Sequence, residues 1–369
     1  MSLLKLPLHD DIEPNIQVNP NANFGLWFER YFNFYNNDWL VEPDSKSNFL
    51  EVFSSNVGSS TMGDAANLKS FSVRQHALAV SQQGKSGVMK ADWHWVTGLG
   101  NSHTVETGLT WHRTLAAPYL PGSSVKGLVR AWLEQQDDPD KAKIHQWFGS
   151  ESKDPKHCTE RETQGGQVIF FDATPFTPVE IHLDVMTPHN NKWLMEENPT
   201  LDSAPGDWNE PIPVFFLSCK NTKLHFSIAK AQHADDSLNI DEVWQALEES
   251  LDYLGVGAKT GAGYGYMSPA ESDTKSIQRE SKKVQAENSD DPLFMSFELT
   301  LSALLEDNSK TAKTKFVKSV NELVNDFTNV NPENHSALRQ HVEGYISKFD
   351  KASKEGKALK KLNKTLNDE

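Results

Sequence analysis

Cysteine is scarce in this chain of 369 residues: Cys158 and Cys219 are the only two. That count excludes a disulfide framework and predicts a reducing, cytoplasmic setting. Long hydrophobic runs are missing as well. No apolar stretch approaches the roughly 18 residues that a membrane span requires. The opening MSLLKLPLHDDIEP turns acidic and proline-containing too early for a secretory leader. Positive charge is in deficit, with 36 Lys and Arg against 51 Asp and Glu and a formal net charge of −15. The balance argues against a free-standing nucleic-acid binder, but a net charge sums the whole surface and leaves room for one local basic site. No Gly-x-Ser-x-Gly occurs, so the nucleophile turn of a serine hydrolase is absent.

What is present is the composition of a soluble globular protein with enough apolar mass for a core: 37% hydrophobic, 10% aromatic and 24% charged residues. The length suggests two or so domains. NFGLWFERYFNFY (Asn23 to Tyr35) reads as an aromatic helix, and residues 41–70 as polar loop with short helix. VMKADWHWV (88–96) alternates like a strand. GLGNSHTVETGL follows, with glycines where a strand bulges or turns. Next comes PYLPGSSVKGLVRAWLE, whose Val125, Leu128, Val129, Trp132 and Leu133 recur as the buried stripe of a helix. Ser123 or Ser124 is the expected N-cap.

QVIFFDATP (167–175) and VEIHLDVMTPH (179–189) read as two strands joined by a short turn, and VFFLSCK and KLHFSIAK as a hairpin-like pair. Asn239 and Glu242 form a capping-box pattern ahead of a stripe of Ile240, Val243, Trp244, Leu247, Leu251 and Leu254. Gly255 stops that helix, and GVGAKTGAGYGYMSP leads into a last strand. Strand, helix, two strands, helix, strand is the ferredoxin-like βαββαβ order with insertions, an α+β fold. Residues 1–270 form this domain on our reading, 271–292 a polar linker, and 293–369 an all-helical extension. The extension carries one stripe from Phe316 to Phe327, another from Leu338 to Phe349, and a lysine-rich end.

Two stretches point to anion binding. The helix start at Gly122, Ser123 and Ser124 offers backbone N–H groups and a partial positive charge, with Lys126 and Arg130 one turn apart on a flank. The same residues also fit an ordinary capped helix with two solvated cations. The second stretch places Gly257, Gly261, Gly263 and Gly265 around Lys259, Thr260 and Tyr264, so that backbone can approach a ligand closely. It fits a flexible connector equally. It is no P-loop, because it follows a helix and enters a strand. His103, Glu106 and His112 fall in a Thr/Gly-rich stretch rather than on a helix, which makes a metal site there a poor reading, and His157-Cys158 is no better. Asp184 and His189 at a strand end read as turn formers, and the terminal lysines as a solvated face. No metal or cofactor is expected.

In this order, GLGNSHTVETGLTWHRTLAAPYLPGSSVKGLVR, VIFFDATP, DVMTPH and LGVGAKTGAGYGYM resemble the RAMP superfamily of CRISPR RNA-binding proteins, and among them those of type III-B Cmr effector complexes. The likeness covers roughly residues 20–270. It implies an RRM-related, ferredoxin-like core in which the glycine-rich loop and the first helix's start lie close together and hold CRISPR guide RNA by its phosphates and ribose. The residues carried over are Gly122, Ser123, Ser124, Lys126, Arg130, Gly257, Lys259, Thr260, Gly261, Gly263, Tyr264 and Gly265. His103 and His112 are carried over as RNA-proximal, without a role. The resemblance further implies a non-catalytic assembly subunit in antiviral defence, capping the guide's 3′ side beside backbone and head subunits and near target RNA. Related backbone subunits cleave target RNA with an aspartate after the first strand; here that region offers Glu106 and no aspartate, so no target cleavage is expected. The alternative is a metal-independent endoribonuclease processing CRISPR repeats, with His103 or His112 as general base.

Overall fold

The computed structural model describes residues 23–36, 38–57, 61–150, 165–198, 200–206 and 211–306, with a few further positions between 315 and 337. The chain divides into two compact units, Met1–Ile277 and Gln278–Glu369. Its elements in order are α1 (Phe24–Arg30), α2 (Pro43–Val57), α3 (Ala65–Ser81), β1 (Lys85–Ala91), β2 (Trp111–His112), β3 (Ala117–Pro118), α4 (Gly122–Glu134) and α5 (Lys141–Phe148). There follow β4 (Val168–Phe170), β5 (Thr174–Pro175), β6 (Glu180–Met186), α6 (Asn191–Met195), β7 (Val214–Lys220), β8 (Lys223–Lys230), α7 (Ile240–Tyr253), β9 (Met267–Pro269), α8 (Glu271–Glu287) and α9 (Pro292–Glu306). The fold is α+β.

The main sheet of the first unit has the order β4-β8-β1-β9, with β5 also on β8, and every pairing is antiparallel. The period of two in β1 buries both of its faces. Val88 packs with Val73 of α3, Phe176 and Ile277, whereas Met89 joins the large core that contains Val125 and Val129 of α4 and Val243 and Leu247 of α7. Full burial of such aliphatic side chains contributes about 1.5–3 kcal/mol each. α4 and α7 meet through Trp132, whose indole N–H donates to Glu249 at 3.1 Å and whose ring stacks on Tyr253 at 5.2 Å. Their stripes are those read from the sequence.

Several expectations require correction. The aromatic helix ends at Arg30, with Asn23 as its N-cap. Phe24, Phe28 and Phe32 pack against Phe49 and Phe53, and the short helix expected within residues 41–70 is the longer α2, followed by the start of α3. Serine and asparagine at exposed positions hide the Phe49, Leu50, Phe53 spacing that buries α2. QVIFFDATP is two short strands broken at 171–173. VFFLSCK and KLHFSIAK do not pair with each other: β7 pairs along its whole length with β6, and β8 belongs to the main sheet. The serines do not cap α4. The helix begins at Gly122 after Pro121, without a side-chain cap at Pro121, and the Gly122 N–H donates to Asp172 Oδ1 at 2.6 Å.

The expected linker is helical from Glu271 to Glu287. Asp291 precedes α9 and accepts from the Phe294 N–H, and its other oxygen accepts from Asn331 and Asn334. The two helical stripes and the lysine-rich end expected further on lie outside the described residues.

Candidate functional site

After β1 the chain is fixed from two sides. Trp95 exchanges backbone hydrogen bonds with Cys219 of β7 at 2.8 and 2.9 Å, and the Val96 carbonyl accepts from the Ala258 N–H at 2.8 Å. The next turn, the exposed side of α4 and the glycine-rich loop enclose an open cleft of about 520 Å³. Gly98 and Gly100 line it from the turn, Ser124 and Leu128 from α4, and Gly257 and Thr260 from the loop. Three segments far apart in sequence thus share one concave surface.

The sequence-predicted residues divide into two groups. Ser123 and Ser124 are exposed at the start of α4. Lys126 is half-buried and has no hydrogen-bond or ion-pair partner among the described residues. Lys259, with a left-handed backbone (φ +62°), places Nζ 5.3 Å from the centre of the Phe216 ring and 3.7 Å from Met186 Sδ. Both lysines can meet an external anion without first breaking an ion pair. Gly261 and Gly263 stand open, with nothing within 4 Å of a built Cβ.

The others have internal roles. Gly122 is buried, its N–H is held by Asp172, and a Cβ there would meet the Phe170 carbonyl oxygen at 2.3 Å. Arg130 pairs with Glu134 one turn on, at 2.7 Å. Tyr264 is 5% exposed and donates to Asp184 Oδ2 at 2.5 Å; burial first, and that bond second, push its phenol pKa up. The Gly265 N–H donates to the His94 carbonyl. These groups hold the loop from within, the Lys259 ammonium lies on the Phe216 ring that Tyr264 also packs against, and Gly261 and Gly263 stand open.

The two histidines have internal partners. His103 stacks on Phe28 at 4.2 Å; its Nε2–H donates to the Phe28 carbonyl at 2.9 Å, and its Nδ1 accepts from the Val105 N–H at 3.3 Å. Burial lowers its pKa, so it stays neutral with both nitrogens occupied. His112 Nδ1 accepts from the Leu115 N–H at 3.3 Å and faces the Thr114 hydroxyl, and burial lowers its pKa too. Neither lines the cleft. Glu106 pairs with Lys46. His157 and Cys158 lie outside the described residues, and Cys219 is a buried free thiol whose pKa burial raises.

Sequence reasoning missed the Thr97–Gly100 side of the cleft, although Gly98 and Gly100 marked a close approach there. It also missed the convergence of His94, His182 and Asp184. The signal for that was present in HLD, which puts His182 and Asp184 on one strand face.

Residues 89–268, which run from β1 through the glycine-rich loop into β9, match the RAMP superfamily. The chain also resembles Cmr6. It is 27% identical over 230 residues to the CRISPR system Cmr subunit Cmr6 of Pyrococcus furiosus, covering 49% of this chain and 66% of the relative. It is 27% identical over 165 residues to the Cmr6 of Saccharolobus solfataricus, covering 43% and 47%. The chain thus spans about two thirds and about half of the lengths of these curated relatives. The crystal structure of Cmr6 from Pyrococcus furiosus is 25% identical, with a TM-score of 0.31, and is matched over 51% of this chain and 98% of that one. Among the described residues, no helix is long and apolar enough to cross a membrane.

Proposed function

We propose that this chain is a RAMP subunit of a type III-B CRISPR effector complex, a Cmr6-like protein that holds guide RNA by its backbone and performs no cleavage. The observation that carries the reading is the cleft itself. It joins the exposed start of α4 to the glycine-rich loop, and the lysines of these two segments, Lys126 and Lys259, have no carboxylate partners among the described residues. Gly261 supports it: no described neighbour lies within 4 Å of its Cβ position, and its backbone lies outside the left-handed region. The open loop leaves room for a sugar-phosphate strand to lie against it. Small residues, N–H groups and lysines recognise phosphate and ribose without reading sequence.

In this proposal Ser123, Ser124, Lys126, Lys259, Thr260, Gly261 and Gly263 face the RNA, while Gly122, Tyr264 and Gly265 hold the two segments in shape. The core is ferredoxin-like. Taken in chain order as first, second, third and fourth strands, β1, β4, β8 and β9 lie in the order second, third, first, fourth, the arrangement of a split βαβ pair. The subunit works in the cytoplasm, caps the guide's 3′ side, contacts neighbouring effector subunits and lies near target RNA.

The test is RNA retention measured across a salt series. Each phosphate contact to a single strand contributes a slope of about 0.7 in log K against log salt, so Lys126→Ala with Lys259→Ala flattens the slope by about 1.4. An unchanged affinity and slope would sink the assignment. Cleavage of repeat RNA by the purified chain in the presence of chelator would overturn the non-catalytic role.

A further inference from the structure

Away from the cleft, two separated stretches bring three potential metal ligands together. His94 follows β1, and His182 and Asp184 sit two residues apart on β6, hence on one face of that strand. One donor atom from each of His94, His182 and Asp184 lies within 4.8 Å of the other two. We propose that these three side chains form a binding site for a divalent transition-metal ion of the zinc type.

The donor set selects the class of ion. Two imidazole nitrogens and one carboxylate oxygen suit zinc and its late first-row neighbours, whereas magnesium and calcium are held by oxygen alone. The surroundings are those of a supported site rather than a chance surface cluster. Asp184 Oδ2 accepts from the Tyr264 hydroxyl at 2.5 Å, and Oδ1 accepts from the Val185 N–H at 2.8 Å, which fixes the carboxylate. Ser218 Oγ donates to the His182 carbonyl at 3.3 Å and lies 3.0 Å from His94 Nδ1, which orients that ring. Such outer partners align a metal site. Packing among protein groups accounts for His94, which is 5% exposed, and for Tyr264. It does not account for the His182 side chain, which is exposed and faces the His94 ring at 5.0 Å, and whose imidazole nitrogens have no hydrogen-bond partner among the described residues. A bound ion uses it. With His94 buried, Asp184 half-buried and His182 at the surface, the three ligands leave a solvent-facing position for water. The ion ties β6 to the segment after β1, and through Tyr264 to the base of the glycine-rich loop. The site stands independently of the RNA reading.

The experiment is a Co²⁺ titration of the untagged, metal-stripped full chain, followed by visible d–d absorption and then by displacement with Zn²⁺. The wild type should take up a single equivalent with an imidazole-ligated spectrum and release it to Zn²⁺. His182→Ala, at an exposed position, should weaken binding by at least about a hundredfold, and Tyr264→Phe, which removes only the outer partner of Asp184, by about tenfold. His189→Ala, an exposed histidine three residues beyond β6, should change nothing. Absence of Co²⁺ binding by the wild type, or binding that survives His182→Ala unchanged, would overturn the site, as would a loss that follows His189→Ala instead.

Discussion

Replacing Gly257 by alanine sets a methyl group against a backbone atom that cannot move freely. Its Cβ would lie 2.0 Å from the Val96 carbonyl oxygen and 3.0 Å from Trp95 Nε1, at a φ of +93°. The same carbonyl oxygen accepts the Ala258 N–H at 2.8 Å, and Trp95 is bonded on both sides to Cys219. The loop therefore has to lift. Loss of the Ala258 bond costs about 1 kcal/mol, left-handed backbone with a Cβ about 1 kcal/mol, and the displaced packing about 1 kcal/mol or more. The sum is about 3 kcal/mol, a fall in Tm of roughly 6 °C or more for a unit of this size. Gly261→Ala in the same loop provides the contrast. Its methyl meets nothing, so stability should stay within about 0.5 kcal/mol of wild type. RNA affinity should nevertheless fall about tenfold, or 1.4 kcal/mol, because the methyl stands where the RNA backbone approaches. Thermal unfolding and a fixed-salt RNA titration on both variants separate the two effects. A neutral Gly257→Ala would refute the steric reasoning, and a Gly261→Ala chain with wild-type RNA affinity would refute the placement of RNA on the loop.

His225 provides a pH test. It is fully buried beside Ser86, and burial lowers its pKa from 6.5 to about 3. The unfolded chain therefore binds a proton that the folded chain refuses between those values. Stability is whole above pH 6.5 and declines by about 1.4 kcal/mol per unit as the pH falls below it. His103 and His112, also lowered by burial, act in the same direction. Urea unfolding between pH 7.5 and 5 checks this, and equal stability across that range would contradict it. Asp172→Ala should destabilise by about 1 kcal/mol through loss of the acceptor for the first N–H of α4, while Asp172→Asn, which keeps a side-chain oxygen there, should lose less. Denaturation midpoints of the two variants decide between a helix held by Asp172 and one indifferent to it.

The two helices that flank the sheet were legible because their stripes, Val125 and Val129 in one and Val243, Leu247 and Leu251 in the other, repeat at helical spacing and are buried as read. α2 and α3 were not, since Ser, Asn and Gln occupy much of their surface and one side of each packs on aromatic or sheet residues far off in the chain. The strand segments were visible, but their partners were not. Only two residues separate β7 from β8, which suggests a hairpin, yet Cys219 bonds to Trp95 and commits β7 to β6 and to the segment after β1. Of the candidate site, the lysines and open glycines could be picked out by type. The occupation of Gly122, Arg130, Tyr264, Gly265, His103 and His112 by internal partners could not.

By itself, then, the order of residues determined the helical stripes, the glycine-rich loop, the deficit of positive charge and the family likeness, because each depends on near neighbours in the chain or on motif order. Tertiary structure alone decided which backbone groups remain free. Asp172, 50 residues beyond Gly122, takes the first N–H of α4. Ala258, 162 residues beyond Val96, closes the cleft through one carbonyl, and His94 reaches Asp184 only because β6 is paired with β7. Hydrogen bonds and ion pairs are satisfied by proximity in space, and proximity across such separations is set by how the sheet and its helices pack.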